Sequence, residues 1–229
     1  MNTIKKAFTL AETLMTLGII GVIAALTIPL IIDKYKRISY QTAFNRAHSQ
    51  IRQAVKLWQY EEGEDVYTKY YDDTDKKGEN LRNAFFKNIK GSFDSRKIAV
   101  DKLTPYYTSA KNSKQKAHYC PPTCCHNPQT NSYISFDGIM YNICARDNFI
   151  NISFDINGYD KGPNKWGIDL FDFDMNSEGE IKNNYICTRY NCQTYYHVKD
   201  APDTTNVNDG IGCTACAVKD KDYFNKIEF

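Results

Sequence analysis

Residues 5–37, "KKAFTLAETLMTLGIIGVIAALTIPLIIDKYKR", decide how the chain is organised. Residues 14–32 carry no charged side chain. A helix of that length, at about 1.5 Å per residue, approaches the ~30 Å hydrocarbon core of a bilayer. Glu12 lies just ahead of this run, and a carboxylate there is costly unless it has a function. The stretch therefore predicts a membrane-entering helix whose carboxylate needs an explanation.

Two ordinary interpretations of this stretch are incomplete. A secretory signal peptide would explain the basic start and a cleavage site of small residues near Ala25. However, the apolar run continues to Ile32, beyond the ~7–15 residues of a signal-peptide core. An uncleaved membrane anchor would fit the length but gives Glu12 no role.

A third interpretation accounts for the carboxylate. Residues 5–14, "KKAFTLAETL", resemble the processing site of the type IV pilin and pseudopilin family. The resemblance implies a leader of residues 1–7, cleavage between Ala7 and Phe8 by a prepilin peptidase, and N-methylation of the new Phe8 amine. Ala7 departs from the Gly that usually ends the leader. Glu12 falls at the fifth mature position, where the family has its glutamate.

The resemblance also implies a function for the helix. Glu12 would pair with the Phe8 amine of a neighbouring subunit and set the register of a helical filament. Gly21 and Pro29 match positions flanking a helical stretch that can unwind in the family's filaments, and Pro29 predicts a kink. The partners implied are copies of the chain or other pilins, and an inner-membrane assembly platform.

These features lead to two functional hypotheses. The first is a structural subunit of a type IV pilus-like or secretion pseudopilus filament. It would be held in the cytoplasmic (inner) membrane by one N-terminal helix, with an extracytoplasmic head, before joining the filament. The alternative is a membrane-anchored extracytoplasmic binding domain that does not polymerise. The expected organisation is a leader (1–7), an apolar membrane and filament-core helix (8–32), and a globular head (33–229).

The helix is predicted to continue into the head, ending near Tyr60. Beyond Pro29 the apolar residues recur every three or four positions, which is typical of one buried helical face. The residues of this face are Tyr40, Phe44, Ala47, Ile51, Ala54, Val55 and Trp58.

The sequence of the rest of the head predicts a short helix followed by strands. Leu81, Phe85 and Ile89 form a helical stripe, and Asp137-Gly138 lies between two strand-like runs, a hairpin signal. Residues 150–156 alternate apolar and polar side chains, and residues 166–175 form another strand-like run. The predicted fold is α+β: a long helix, its apolar half projecting and its amphipathic half packed against a small antiparallel sheet of three to four strands. A Cys-rich C-terminal region follows.

All eight cysteines lie at or beyond position 120. An even count behind an export signal favours disulfides over zinc ligands or a redox pair. Cys187 and Cys192 are close enough in sequence for a local loop, and the other pairings stay open. The candidate disulfide cysteines are Cys120, Cys124, Cys125, Cys144, Cys187, Cys192, Cys213 and Cys216.

One loop has hard oxygen ligands that suit calcium, namely Asp155, Asn157, Asp160 and Asp169. The EF-hand pattern fails there, because Trp166 stands where the glutamate should be. The same residue types are common in turns without any ion, so the turn interpretation is favoured and no metal or cofactor is predicted.

Charge and motifs argue against other function classes. The chain has 29 basic and 27 acidic residues, and losing Lys5 and Lys6 with the leader would leave 27 of each. That balance gives no basic field for nucleic acid. The sequence shows no phosphate-binding loop, dinucleotide fingerprint or nucleophile–base set, so an enzyme is not expected.

Overall fold

The computed structural model describes residues 9–63, 75–89, 133–146, 149–164, 166–176, 178–182, 187, 192 and 212–227. Within these ranges the chain has the predicted α+β fold. The helices are α1 (Leu10–Glu62), α2 (Asp75–Lys87), α3 (Cys213–Lys219) and α4 (Tyr223–Lys226). The strands are β1 (Tyr133–Ile134), β2 (Met140–Arg146), β3 (Phe149–Asp155), β4 (Leu170–Met175) and β5 (Ile181–Lys182).

Helix α1 extends close to the predicted bounds and contains Pro29 within its span. It ends where Gly63 takes a positive φ of 94° and donates its N–H to the Gln59 carbonyl at 2.9 Å. Such a left-handed glycine is a common helix terminator, since it has no Cβ to strain. The chain divides into two compact units, one up to Ser39 and the second from Tyr40 onward.

In the second unit, the predicted apolar face of α1 is buried. All seven residues proposed for that face are buried in the core. The stripe predicted for the second helix is buried as well: Leu81 and Phe85 lie on α2, Ile89 lies just past its end, and all three are at most 1 % exposed. Trp58 and Phe85 meet edge to face at 5.9 Å, which joins the two helices. Both periodicity predictions are therefore confirmed.

The five strands form an antiparallel meander in sequence order. The predicted sheet had three to four strands, so the short edge strands β1 and β5 exceed that number. Tyr141, Phe154 and Phe171 lie in register across β2, β3 and β4. Phe44 of α1 packs on this face, with its ring 4.8 Å from Phe171 and 6.0 Å from Phe154. One face of the sheet thus covers the packed half of α1.

The opposite face of the sheet is polar and also buried. Asn142, Ser153 and Asp172 lie in register there, and each is at most 7 % exposed. Asn151 donates hydrogen bonds to Asp172 at 3.2 Å and to Asp174 at 2.8 Å. These bonds offset the cost of burying the two carboxylates, whereas the buried Ser153 Oγ makes no hydrogen bond with the described residues.

Two disulfides, Cys187–Cys216 and Cys192–Cys213, hold α3. The local Cys187–Cys192 loop suggested by sequence spacing is therefore wrong. Cys213 and Cys216 are three residues apart in a helix and share one face, and one of them is bonded to Cys192 and the other to Cys187. This region is also locked to β4, because the Asp172 N–H donates to Thr214 Oγ1 at 3.0 Å.

The C-terminal helices close one end of the core. Tyr223 donates its hydroxyl hydrogen to the Gly167 carbonyl at 2.6 Å, and the Phe224 ring lies 5.8 Å from Phe44. Gly167 has a φ of 78°, and a Cβ there would lie 2.5 Å from Cys213 Sγ. Only glycine fits this close approach without displacing the disulfide.

Candidate functional site

The start of α1 is capped by its own side chains. The Thr9 N–H and the Thr9 hydroxyl both donate to Glu12 Oε2 at 2.8 Å. In return the Glu12 N–H donates to Thr9 Oγ1 at 3.3 Å. This is a capping box, in which a threonine at the N-cap and a glutamate three residues on satisfy each other's backbone donors. Glu12 therefore has hydrogen-bond partners within its own chain.

The helix behind this cap presents an uncovered apolar surface. Between Leu10 and Ile32, thirteen large apolar side chains are 52–77 % exposed. Threonine hydroxyls in the same stretch bond to the helix's own carbonyls, as Thr13 does with Thr9 and Thr27 with Ile23. Such internal bonds leave few polar groups that would resist an apolar environment.

The small residues of this stretch leave open space on the helix surface. A Cβ added at Gly18 or at Gly21 would meet nothing within 4 Å. Pro29 lacks the N–H that would bond the carbonyl four residues earlier, yet helical geometry continues on both sides of it. The kink expected at Pro29 stays a prediction. Ala7 and Phe8, the expected cleavage site, lie outside the described residues.

Two of the calcium candidates bind the backbone of their own loop. Asp155 Oδ1 accepts the N–H groups of Asn157 at 3.1 Å and Gly158 at 2.9 Å. Asp169 Oδ2 accepts the Asn164 N–H at 2.8 Å. These bonds are the turn chemistry that aspartates form without an ion.

The remaining calcium candidates, Asn157 and Asp160, differ in their surroundings. Asn157 donates its side-chain amide to the Tyr40 hydroxyl and the Gly162 carbonyl, each at 2.9 Å, while Asp160 is exposed. Burial, and secondarily the carboxylate of Asp169, raise the pKa of Tyr40 to about 12. Within the described ranges, no group of three His, Cys, Asp or Glu side chains is placed to hold a metal ion.

His48 of α1 lies half-buried against the sheet. Its ring stacks on Phe173 with centroids 4.8 Å apart and an interplanar angle of 19°. Burial, and then the positive charge of Arg52, lower the pKa of His48 below its ordinary value of 6.5. The unfolded chain therefore binds more protons at this residue just below pH 6.5, and stability must fall as the pH drops through that window.

His48→Phe should make the second unit less sensitive to mild acid. We expect the wild-type urea midpoint to fall between pH 7.5 and pH 5.5, and the fall to be smaller in the variant, because phenylalanine has no proton to gain. Arg52→Gln is the matched control: it removes the nearby charge that lowers the pKa, and should shrink the fall while the imidazole stays. An equal fall in wild type and His48→Phe would contradict this assignment.

The predicted cysteines divide into two groups. Four of them form the disulfides of α3. Cys120, Cys124, Cys125 and the side chain of Cys144 lie outside the described part of the chain, so their expected disulfides stay predictions.

The long apolar helix, the small antiparallel sheet and the disulfides fit a pilin-like fold. Among the described helices, α1 alone is long and apolar enough to cross a membrane, and its apolar window is not buried elsewhere in the chain. A signal sequence passes the same test of length and composition, so this observation shows a membrane-spanning candidate and no more. Comparison with protein-family models, curated proteins and solved structures found no match to the chain.

Sequence reasoning missed the cap while it identified Glu12. The signal was present as Thr9-Leu-Ala-Glu12, the spacing of a capping box ahead of an apolar run. The role predicted for Glu12 lies between subunits, and the structure adds a partner within the chain.

Proposed function

We propose that the chain is a structural subunit of a type IV pilus-like or secretion pseudopilus filament, assembled through α1. The observation that carries the proposal is an apolar helical surface that is exposed over residues 10–32 and headed by a single carboxylate. Such a surface is stable in a bilayer or against copies of itself, and unstable in water. A subunit stored in the membrane and then packed into a filament core uses both environments.

Glu12 supports assembly rather than anchoring alone. Its hydrogen bonds with described donors all end on Oε2, which leaves Oε1 able to accept from a neighbour. Cleavage after Ala7 would create a cationic amine on Phe8, directly before the cap residue Thr9. An amine–carboxylate pair between subunits would then fix their axial register, since an unpaired buried charge is strongly destabilising.

The proposal names three kinds of partner. A prepilin peptidase would cut between Ala7 and Phe8 and methylate the new amine. An inner-membrane assembly platform would collect subunits held in the membrane by residues 8–32. Copies of the chain, or other pilins, would form the filament with the second unit on the extracytoplasmic side.

The mass of the chain recovered from its native membrane tests this proposal. We expect a mature N-terminus at Phe8 carrying one methyl group. Ala7→Gly should be processed at least as well, because it restores the family's residue, whereas the bulky side chain in Ala7→Leu should block cleavage. An intact Met1 in the wild-type chain would instead support the alternative, a membrane-anchored binding domain that does not polymerise.

A further inference from the structure

The segment that follows the apolar run combines basic and apolar side chains. We call residues 33–38, "DKYKRI", the collar. Lys34 is exposed, Tyr35 is 74 % exposed, and Ile38 is 55 % exposed. Arg37 pairs with Asp33 at 2.7 Å along the helix surface. The collar belongs to the first unit, which ends at Ser39.

One face of the collar continues the apolar surface of the helix. Ile31, Tyr35 and Ile38 are spaced by four and three residues, so they line one side of α1. All three are exposed. The apolar surface thus extends nearly two turns past Ile32, but here it is narrow and flanked by Lys34 and Lys36.

The position of the collar matches the headgroup level of a bilayer. If residues 14–32 cross the hydrocarbon core, a helix places the next turns among the headgroups. Tyrosine is enriched at that level because its ring is amphipathic. Lysine and arginine there extend their charged ends to the phosphates while their stems stay on apolar surface.

The net charge of the collar indicates which kind of partner this face binds. Its three basic residues and one acidic residue leave a net charge of +2. Two copies of the collar side by side would repel each other, whereas anionic phosphates would be attracted. We propose that the collar binds the headgroups of anionic phospholipids and holds the subunit at a fixed depth before assembly. This inference rests on the membrane-spanning role in the proposed function.

Fluorescence quenching by brominated lipids tests this inference on the full chain. The probe is Tyr35→Trp, reconstituted in vesicles of phosphatidylcholine and phosphatidylglycerol in equal parts, with one lipid brominated high on its acyl chains. The native tryptophans, Trp58 and Trp166, are buried in the second unit and supply an unquenched background. Tyr60→Trp, at a residue 89 % exposed in the second unit, is the matched control outside the apolar run.

The expected result is strong quenching at position 35 that favours brominated phosphatidylglycerol. A local enrichment of roughly fivefold follows from the attraction of a basic residue to an anionic surface. Lys34→Gln with Lys36→Gln should bring the two lipids toward equal quenching, as should high salt, while Lys34→Arg with Lys36→Arg should keep the preference. Tyr60→Trp should not be quenched by either lipid.

Two results would overturn the proposal for the collar. A second probe, placed in the apolar run, shows whether the membrane-spanning role in the proposed function has failed as well. Equal quenching by both lipids would show that the collar does not select charge. Quenching at position 35 that appears only at high lipid-to-protein ratio would show that a second copy covers the collar. Leu26→Trp reports on the span itself: quenching at 26 but not at 35 rejects the collar alone. Absence of quenching at both positions rejects membrane insertion too.

Discussion

Removing both disulfides of α3 should lower the free energy of unfolding of the second unit by about 6 kcal/mol, slightly less than the two loop-closure terms taken alone would sum to. Cys187–Cys216 closes a loop with a sequence separation of 29, and Cys192–Cys213 one of 21. Cross-links of this length restrict the unfolded chain by about 3 to 4 kcal/mol each when alone. Domains are typically stable by ~5–15 kcal/mol, so the reduced unit would be near unfolding.

The two cross-links should not contribute independently, because one loop lies inside the other. When Cys192–Cys213 is closed, the ends that Cys187–Cys216 joins are already near each other. Each disulfide therefore removes less conformational freedom from the unfolded chain when the other disulfide is already closed. We expect about 2 to 3 kcal/mol for removing either pair alone, and a loss for the double removal that exceeds the sum of the two.

Urea unfolding of the chain in detergent, followed by the fluorescence of Trp58 and Trp166, would measure these losses. Three variants are needed: one with serine at both cysteines of the first disulfide, one with serine at both cysteines of the second, and one with serine at all four positions. Val218→Ser is the matched control, because Val218 lies on α3 but is exposed, and its midpoint should not move. Strictly additive losses would contradict the nested arrangement, and unchanged stability in the double removal would contradict the pairings.

The packed half of α1 could be predicted because its signal is local and repeated. Residues from Tyr40 to Trp58 bury one face at every third or fourth position, and no other element needs to be known for that pattern to be read. The core face of β3 was predictable in the same way, since Ile152 and Phe154 alternate with polar neighbours and both are buried.

The polar face of the sheet was not predictable in the same way. Alternation places Asn151 and Ser153 opposite the core, and a half-buried strand would expose them to solvent. Ser153 is buried, and Asn151 bridges two aspartates of β4. Whether the second face of a sheet is covered depends on residues far away in the sequence, and the local alternation of a strand carries no information about them.

The C-terminal helices and the pairing of their cysteines could not be predicted from local sequence patterns either. Helix α3 has seven residues and α4 has four, too short to be stable without tertiary packing. Their formation depends on the disulfides and on the contacts of Tyr223 and Phe224 with the core. Sequence proximity favours Cys187 with Cys192, whereas the structure bonds Cys187 to Cys216 and Cys192 to Cys213 on one face of α3.

Glu12→Ala should abolish filament formation while leaving the amount of membrane-bound chain unchanged. If Glu12 pairs with the Phe8 amine of the next subunit, removing the carboxylate leaves a buried cation unpaired, at a cost of ~3–5 kcal/mol per contact. Each subunit contact would then weaken more than a hundredfold. Electron microscopy of sheared cell surfaces would count filaments, and immunoblots of membrane fractions would measure the stored subunit.

Two further substitutions distinguish the charge of Glu12 from its role in the cap. Gln accepts the same backbone bond from Thr9 as Glu does, so Glu12→Gln keeps the capping box and loses only the charge. Thr9→Ala does the reverse: it weakens the cap by about 1 kcal/mol and keeps the carboxylate. If Glu12 sets the register through its charge, Glu12→Gln should fail to assemble as completely as Glu12→Ala, and Thr9→Ala should still form filaments. Filaments from Glu12→Gln together with their loss in Thr9→Ala would assign the residue to the cap, and the intersubunit pair would have to be abandoned.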